Sequence, residues 1–131
     1  MNDIKNFCDN WKTQGGGDVA EDWVGGYTIA LNKIKWRNGQ KIIIHICDSP
    51  AHGKKYSNGF SDNHQEKKYE DELDNLIQKC AQNNIEIIGI YIGETAKYCF
   101  EQCKIIYEKF KGKSFIVQAY NRNNLLLSNI I

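Results

Sequence analysis

The stretch KIIIHICDSPAHG, residues 41–53, decides the fold that this sequence predicts. It carries four isoleucines between positions 42 and 46, which is typical of a strand buried on both faces of a parallel sheet. Asp48 follows this apolar run, and Pro50, the one proline of the chain, lies in the loop behind it. Open α/β sheets bind ligands just beyond the carboxyl ends of their strands. Asp48 is therefore predicted to lie where such a sheet places its chemistry.

Two further strands follow, and a helical pattern precedes each of them. Apolar runs predict strands over residues 85–92 and 114–120, and apolar residues at helical spacing predict helices over residues 66–82 and 95–110. Parallel strands that alternate with helices are joined by right-handed crossovers. We therefore predict an α/β fold with a parallel sheet of about three strands and helices on both of its faces.

Three more helices are predicted outside this core pattern. Residues 4, 7, 8 and 11 form a short apolar stripe near the N-terminus, and residues 123–131 form a leucine-rich helix at the other end. Residues 20–36 form the third helix, with Asp18 as its N-cap and Glu21 as the capping-box partner. At 131 residues the chain is expected to form one domain.

Composition and charge limit the possible partners. A net charge of +1 provides no long-range attraction to nucleic acid or to anionic membranes, and no apolar run is long enough to span a bilayer. Five cysteines, an odd number and placed inside predicted elements, argue against a disulfide framework and favour a reducing compartment. The polar N-terminus does not match a signal peptide. We expect a cytoplasmic protein that binds neither nucleic acid nor membrane.

Two carboxylates are candidates for a metal site. Asp18 and Asp48 each follow an element that should end near the same side of the sheet, where they could share Mg²⁺ or Ca²⁺. Each also has a purely structural interpretation, because Asp18 could cap a helix and Asp48 could form a turn before Pro50. Both interpretations stay open on the residues alone.

Histidine, cysteine and serine near Asp48 give weaker patterns. His45 and Cys47 point to the same face of a strand and match no zinc spacing, so core packing is the better interpretation. His52 lies in the loop and is better placed to contact a ligand, whereas His64 is expected to be solvated. Ser49 lacks the flanking glycines of a nucleophile elbow.

A family resemblance rests on GGGDVAEDWVGGYTIAL followed by KIIIHICDSPAHGKKY, within residues 15–56. These motifs resemble von Willebrand factor A domains, and in particular those of alpha-type protein kinases and related protist proteins. The resemblance implies a doubly wound, Rossmann-like sheet with a metal-ion-dependent adhesion site. It covers only the C-terminal part of the family's domain. The family's first three strands and its Asp-x-Ser-x-Ser loop have no counterpart here, so residues 1–131 are expected to be a truncated domain of this kind.

The resemblance also assigns roles to residues. Asp48 would be the third-loop acid of an incomplete, weak Mg²⁺ or Ca²⁺ site, and Asp18 would lie near the second-loop ligand. Ser49, His52 and Asp22 would support these ligands from the surrounding loops.

The missing first strand would leave Lys41–Cys47 as an exposed edge, open to a protein partner or to self-association. We therefore expect a non-catalytic protein-interaction module. The alternative is a phosphorelay-like or hydrolytic α/β enzyme domain in which Asp48 acts at the strand end.

Overall fold

The sheet contains three parallel strands, as the alternation of apolar patterns predicts. The structure, a computed structural model, describes residues 2–12 and 15–121. Its strands are β1 (Lys41–Cys47), β2 (Ile85–Tyr91) and β3 (Phe115–Ala119), which pair in the order β1-β2-β3. Both pairings are parallel, with Ile44, Ile88 and Ile116 in register across the sheet. The predicted α/β fold is confirmed.

Five helices accompany the sheet in the described part of the chain. They are α1 (Asn2–Asp9), α2 (Trp23–Asn32), α3 (Lys54–Ser57), α4 (Lys67–Gln82) and α5 (Glu94–Lys109). The short helix α3 lies between β1 and α4, where the sequence analysis predicts no helix or strand. None of these helices offers an apolar stretch of the length that a bilayer crossing requires. The helix predicted at residues 123–131 lies outside the described residues.

Helix α2 begins three residues later and ends four residues earlier than the predicted helix of residues 20–36, and a different aspartate caps it. Its N-cap is Asp22, whose Oδ1 accepts a hydrogen bond from the N–H of Gly25 at 2.7 Å. The preceding residues are extended instead, because Glu21 forms a parallel bridge with Ala51 and donates its N–H to the carbonyl of Pro50 at 2.8 Å. The prediction that Asp18 caps a helix starting near residue 20 is therefore wrong, and the side chain of Asp18 is left for other contacts.

One face of the sheet carries the core. Helices α2, α4 and α5 pack side by side, and α4 and α5 contact β2. Phe100 of α5 lies directly on Gly89 of β2, where an added Cβ would come within 2.6 Å of the phenyl ring. A glycine in a strand interior is typical of such a close approach. Fully burying one large apolar side chain stabilises a fold by roughly 1.5–3 kcal/mol, so this layer provides much of the stability.

The opposite face is partly open. Ile44 is 49% exposed, Ile46 is 59% exposed and Ile116 is 42% exposed, although Ile88 between them is buried. The prediction that Lys41–Cys47 is buried on both faces is therefore wrong. The helix layer predicted on this face is not found among the described residues, because α2, α4 and α5 lie together on the other side. Ile44, Ile46 and Ile116 are called the open face below.

Candidate functional site

The carboxylate of Asp48 is exposed at the end of β1, as the strand pattern predicts. Its Oδ1 accepts a hydrogen bond from the hydroxyl of Ser49 at 3.2 Å, and its main-chain carbonyl accepts one from the hydroxyl of Thr95 at 2.8 Å. The carbonyl of Ser49 accepts a further bond from the indole N–H of Trp23 at 3.2 Å. The backbone after β1 is thus anchored to α2 and α5, while the carboxylate faces solvent.

Asp18 is held by a different part of the molecule. Its Oδ2 accepts a hydrogen bond from the N–H of Asn63 at 2.7 Å, and the side chain is half-buried. The N–H groups of Val19 and Ala20 both donate to the carbonyl of Ser61, at 3.0 and 3.1 Å. The segment that contains Asp18 is therefore fastened to the loop of residues 58–66, which connects α3 and α4.

Asp62 is the centre of that loop, and the sequence analysis missed it. It is 7% exposed and accepts hydrogen bonds from the N–H of Gly53 at 2.9 Å and the N–H of His64 at 2.8 Å. The imidazole Nδ1 of His52 lies 2.8 Å from its Oδ1. Burial opposes ionisation of this carboxyl, but the bonds from His52, His64 and Gly53 outweigh it and hold its pKa below the ordinary value.

These contacts bring Asp18, His52 and Asp62 together, and we call this group the loop cluster. Each contributes one possible metal-binding atom, and the three atoms lie within 4.8 Å of one another. Asp48, the other predicted metal ligand, is not a member of this group. Asp22 caps α2, and Ser49 bonds to Asp48. The structure thus brings the predicted residues Asp18 and His52 together with Asp62, which was not predicted. The three residues are far apart in sequence, so no local pattern could have linked them.

The rings of His64 and Tyr69 lie beside His52 of the loop cluster. The ring of His64 is exposed and lies 4.8 Å from that of His52, and the ring of Tyr69 lies 5.4 Å from that of His64. His64 thus contributes its backbone N–H to Asp62 and its ring to the surface beside His52. A paired imidazole and buried carboxylate is the arrangement that orients histidine in many metal sites.

His45 and Cys47 belong to the core side of β1, as predicted. The His45 ring packs between Trp23 and Phe100, with ring centroids 4.3 and 4.9 Å away. Burial lowers the pKa of His45 to about 4, so the ring is neutral near pH 7. Burial likewise raises the pKa of the Cys47 thiol. Neither side chain is placed to act as a nucleophile or base at Asp48.

A groove of about 830 Å³ runs along β1 beside α2. Its lining is mostly apolar and comes from both elements and from the N-terminal segment: Trp11, Glu21, Asp22, Trp23, Gly26, Tyr27, Ala30, and residues 43–47. We call this the β1 groove. It lies on the side of β1 away from β2, and so it borders the edge that the sequence analysis predicts to be exposed.

The backbone of that edge has a definite pattern. The carbonyl of Cys47 accepts a hydrogen bond from Ile92 at 2.9 Å, so the backbone groups of Cys47 face β2. Because backbone groups alternate along a strand, those of Ile42, Ile44 and Ile46 face the other way. Among residues 2–12 and 15–121 no strand pairs with this side of β1. We call it the open edge.

Comparisons with known proteins relate part of the chain to a protein kinase. The chain is 39% identical over 51 residues to a protein named alpha-protein kinase vwkA from Dictyostelium discoideum, which is 38% of this chain. The match spans about 8% of the length of that kinase. No family model matches the chain, and no solved structure matches it. The chain is thus similar over a segment of 51 residues to one alpha-protein kinase, and the predicted von Willebrand factor A domain stays a prediction.

Proposed function

We propose that this chain is a non-catalytic protein-binding module that holds an extended segment of another polypeptide along the open edge of β1. The observation that carries this proposal is the row of outward-facing backbone groups at Ile42, Ile44 and Ile46, with the β1 groove beside it. Unpaired strand edges recruit other strands through main-chain hydrogen bonds, and pockets beside the edge select alternate side chains.

The open edge lacks the features that usually protect such edges. No charged residue or proline occurs between Ile42 and Cys47. Natural proteins blunt exposed edges with charges, prolines or bulges, and β1 pairs with β2 in an unbroken register of seven residues. An added strand would find a regular row of donors and acceptors along β1.

The groove indicates which side chains the bound segment carries. In a strand added at this edge, alternate side chains point to opposite faces of the sheet. Those on the helix side would enter the β1 groove against Trp23 and Tyr27, and those on the other side would cover Ile44 and Ile46. The fitting ligand is therefore an extended segment with apolar residues on both faces and few charges.

Helix α2 disfavours an antiparallel pair of two copies. Trp23 and Tyr27 of α2 stack on His45 of β1, so the helix lies over the edge strand. Antiparallel pairing of two β1 strands would place both α2 helices on one face, with the strands about 4.8 Å apart. Packed helix axes need about 8–10 Å. A different polypeptide without a helix at that position is the better occupant.

The resemblance to von Willebrand factor A domains supports the same role. It implies an incomplete Mg²⁺ or Ca²⁺ site at Asp48 and Asp18 in an interaction module, and the cytoplasmic location expected from the free cysteines is part of the proposal. The match of 51 residues to an alpha-protein kinase supports a function connected with such an enzyme. In this proposal the open edge supplies most of the binding, and an ion near Asp48 would assist it.

Two matched proline substitutions test the open edge. Ile44→Pro removes an outward N–H of β1, whereas Val117→Pro removes an outward N–H on the far edge of β3; proline is tolerated at such edge positions. Apolar nonapeptides selected by phage display on the unchanged chain should bind Val117→Pro equally well. They should bind Ile44→Pro at least about tenfold more weakly. Several main-chain hydrogen bonds between the peptide and β1, worth about 1 kcal/mol each, depend on the regular row of backbone groups that this proline interrupts.

Fluorescence anisotropy with a labelled peptide measures this difference, and light scattering after size-exclusion chromatography gives the oligomeric state. A monomer at tens of micromolar supports the proposal. Equal peptide binding by Ile44→Pro, or a stable dimer that Ile44→Pro dissociates, would overturn it, the latter because the edge would then serve self-association.

A further inference from the structure

The loop cluster contains a mixed set of possible metal ligands, and it is separate from both the open edge and Asp48. An imidazole nitrogen of His52 and carboxylate oxygens of Asp18 and Asp62 converge within 4.8 Å. The backbone fixes two of these side chains, because Asn63 donates to Asp18 and Gly53 donates to Asp62. The three groups come from three different segments, and their convergence is a property of the tertiary fold.

We propose that Asp18, His52 and Asp62 bind a divalent transition-metal ion, with Zn²⁺ as the best fit. Imidazole together with carboxylate suits Zn²⁺ and its neighbours, whereas Mg²⁺ and Ca²⁺ prefer oxygen ligands alone. This site differs from the Asp18–Asp48 pair that the sequence predicts, because its acid partner is Asp62 and it includes a nitrogen ligand.

The distances require only a small contraction. Zinc lies about 2.0–2.2 Å from nitrogen and oxygen ligands, so ligand atoms around a tetrahedral ion are about 3.4 Å apart. The atoms of the loop cluster already lie within 4.8 Å. Asp62 and His52 are 2.8 Å apart and would separate slightly around an ion, so the contraction falls on Asp18. Water, or the neighbouring ring of His64, would complete the coordination.

The polar contacts of Asp62 suit an incoming cation. This carboxylate is buried, and its oxygens accept hydrogen bonds from His52, Gly53 and His64. The described ion pair of Asp62 is with His52, and that imidazole contributes a positive charge only when it is protonated. A divalent ion would replace the hydrogen bond between these two residues by two stronger ligand bonds.

Calorimetric titration of the chain with Zn²⁺ tests the site. His52→Gln and Asp18→Asn should each weaken Zn²⁺ binding at least about tenfold, the scale of losses at zinc ligands and their immediate partners. Glu108→Gln is the matched control, because it removes an exposed acid of α5 outside the loop cluster and should leave the affinity unchanged. Cys8→Ser should also leave it unchanged, since this exposed thiol is the most accessible competing ligand.

The unaltered chain provides a second measurement that does not depend on the folding of variants. Co²⁺ should shift the imidazole resonances of His52 and His64 at lower concentration than those of His45, and Zn²⁺ should reverse the shift. No Zn²⁺ binding, loss of binding in Glu108→Gln or Cys8→Ser but not in His52→Gln, or a first shift at His45 would each overturn the proposal. Ile44→Pro should bind Zn²⁺ normally, so this inference and the proposed function fail separately.

Discussion

The two faces of the sheet use the same residue type for different purposes. On the helix-covered face, Ile43, Ile87 and Phe115 contribute to a closed core with Phe100 above Gly89. On the open face, Ile44 and Ile46 are about half exposed. The strand residues are equally apolar on both sides, so the difference comes from where the helices lie. An apolar strand residue thus predicts a surface that is favourable to bury. The position of the helices determines which of the two surfaces is buried in the described part of the chain.

The largest effect should come from removing Phe100. Phe100→Ala should lower the free energy of unfolding by about 3–5 kcal/mol, because it leaves a cavity above Gly89 where the side chain is fully buried. Urea denaturation followed by circular dichroism measures this loss. A loss below about 1 kcal/mol would show that the helix-covered face is not the main source of stability.

Acid should weaken the helix-covered face through His45. Its folded pKa is about 4, below the ordinary 6.5, so the unfolded chain binds more protons between these values. The stability that depends on the neutral ring is complete above pH 6.5, falls as the pH drops from 6.5 to 4, and does not fall further below that. The loss should be at most about 3.4 kcal/mol.

Urea denaturation at several pH values separates this contribution from that of the carboxyl groups. The slope of stability against pH between 6.5 and 4 should be smaller in His45→Gln than in the unchanged chain. It should be preserved in His64→Gln, which removes an exposed ring. Identical slopes in all three proteins would contradict the assignment of the effect to His45.

The smallest effect is expected on the open face. Ile44→Ser and Ile46→Ser should each change the free energy of unfolding by less than about 1 kcal/mol, because each side chain retains about half of its exposure to water in the folded state. The same urea experiment checks this. A loss near that of Phe100→Ala would mean that the open face is as important for folding as the covered one, and the contrast between the faces would disappear.

Local patterns were sufficient for the strands and for the long helices. The isoleucine run of residues 42–46 predicted β1, and the predicted ends of α4 and α5 lie within one residue of those observed. These elements are long and periodic, so neighbouring residues alone specify them. The start of α2 was wrong by three residues because Glu21 pairs with Ala51, a contact between segments far apart in sequence.

The candidate site divides in the same way. Asp48 was predictable because it follows an apolar strand, and its exposed position agrees with that prediction. Asp62 was not predictable, because nothing in the polar stretch SDNHQE distinguishes a buried acid from a solvated one. Its importance comes from three N–H donors supplied by His52, Gly53 and His64, two of which precede it by about ten positions.

The sequence by itself determined the order of elements, the parallel sheet and the carboxylate at the end of β1, because these depend on periodicity within short windows. Only the tertiary structure decided which face of the sheet the helices cover and which acid joins His52. Both depend on contacts between distant segments, where burial and the pairing of polar groups, rather than local preference, select the arrangement.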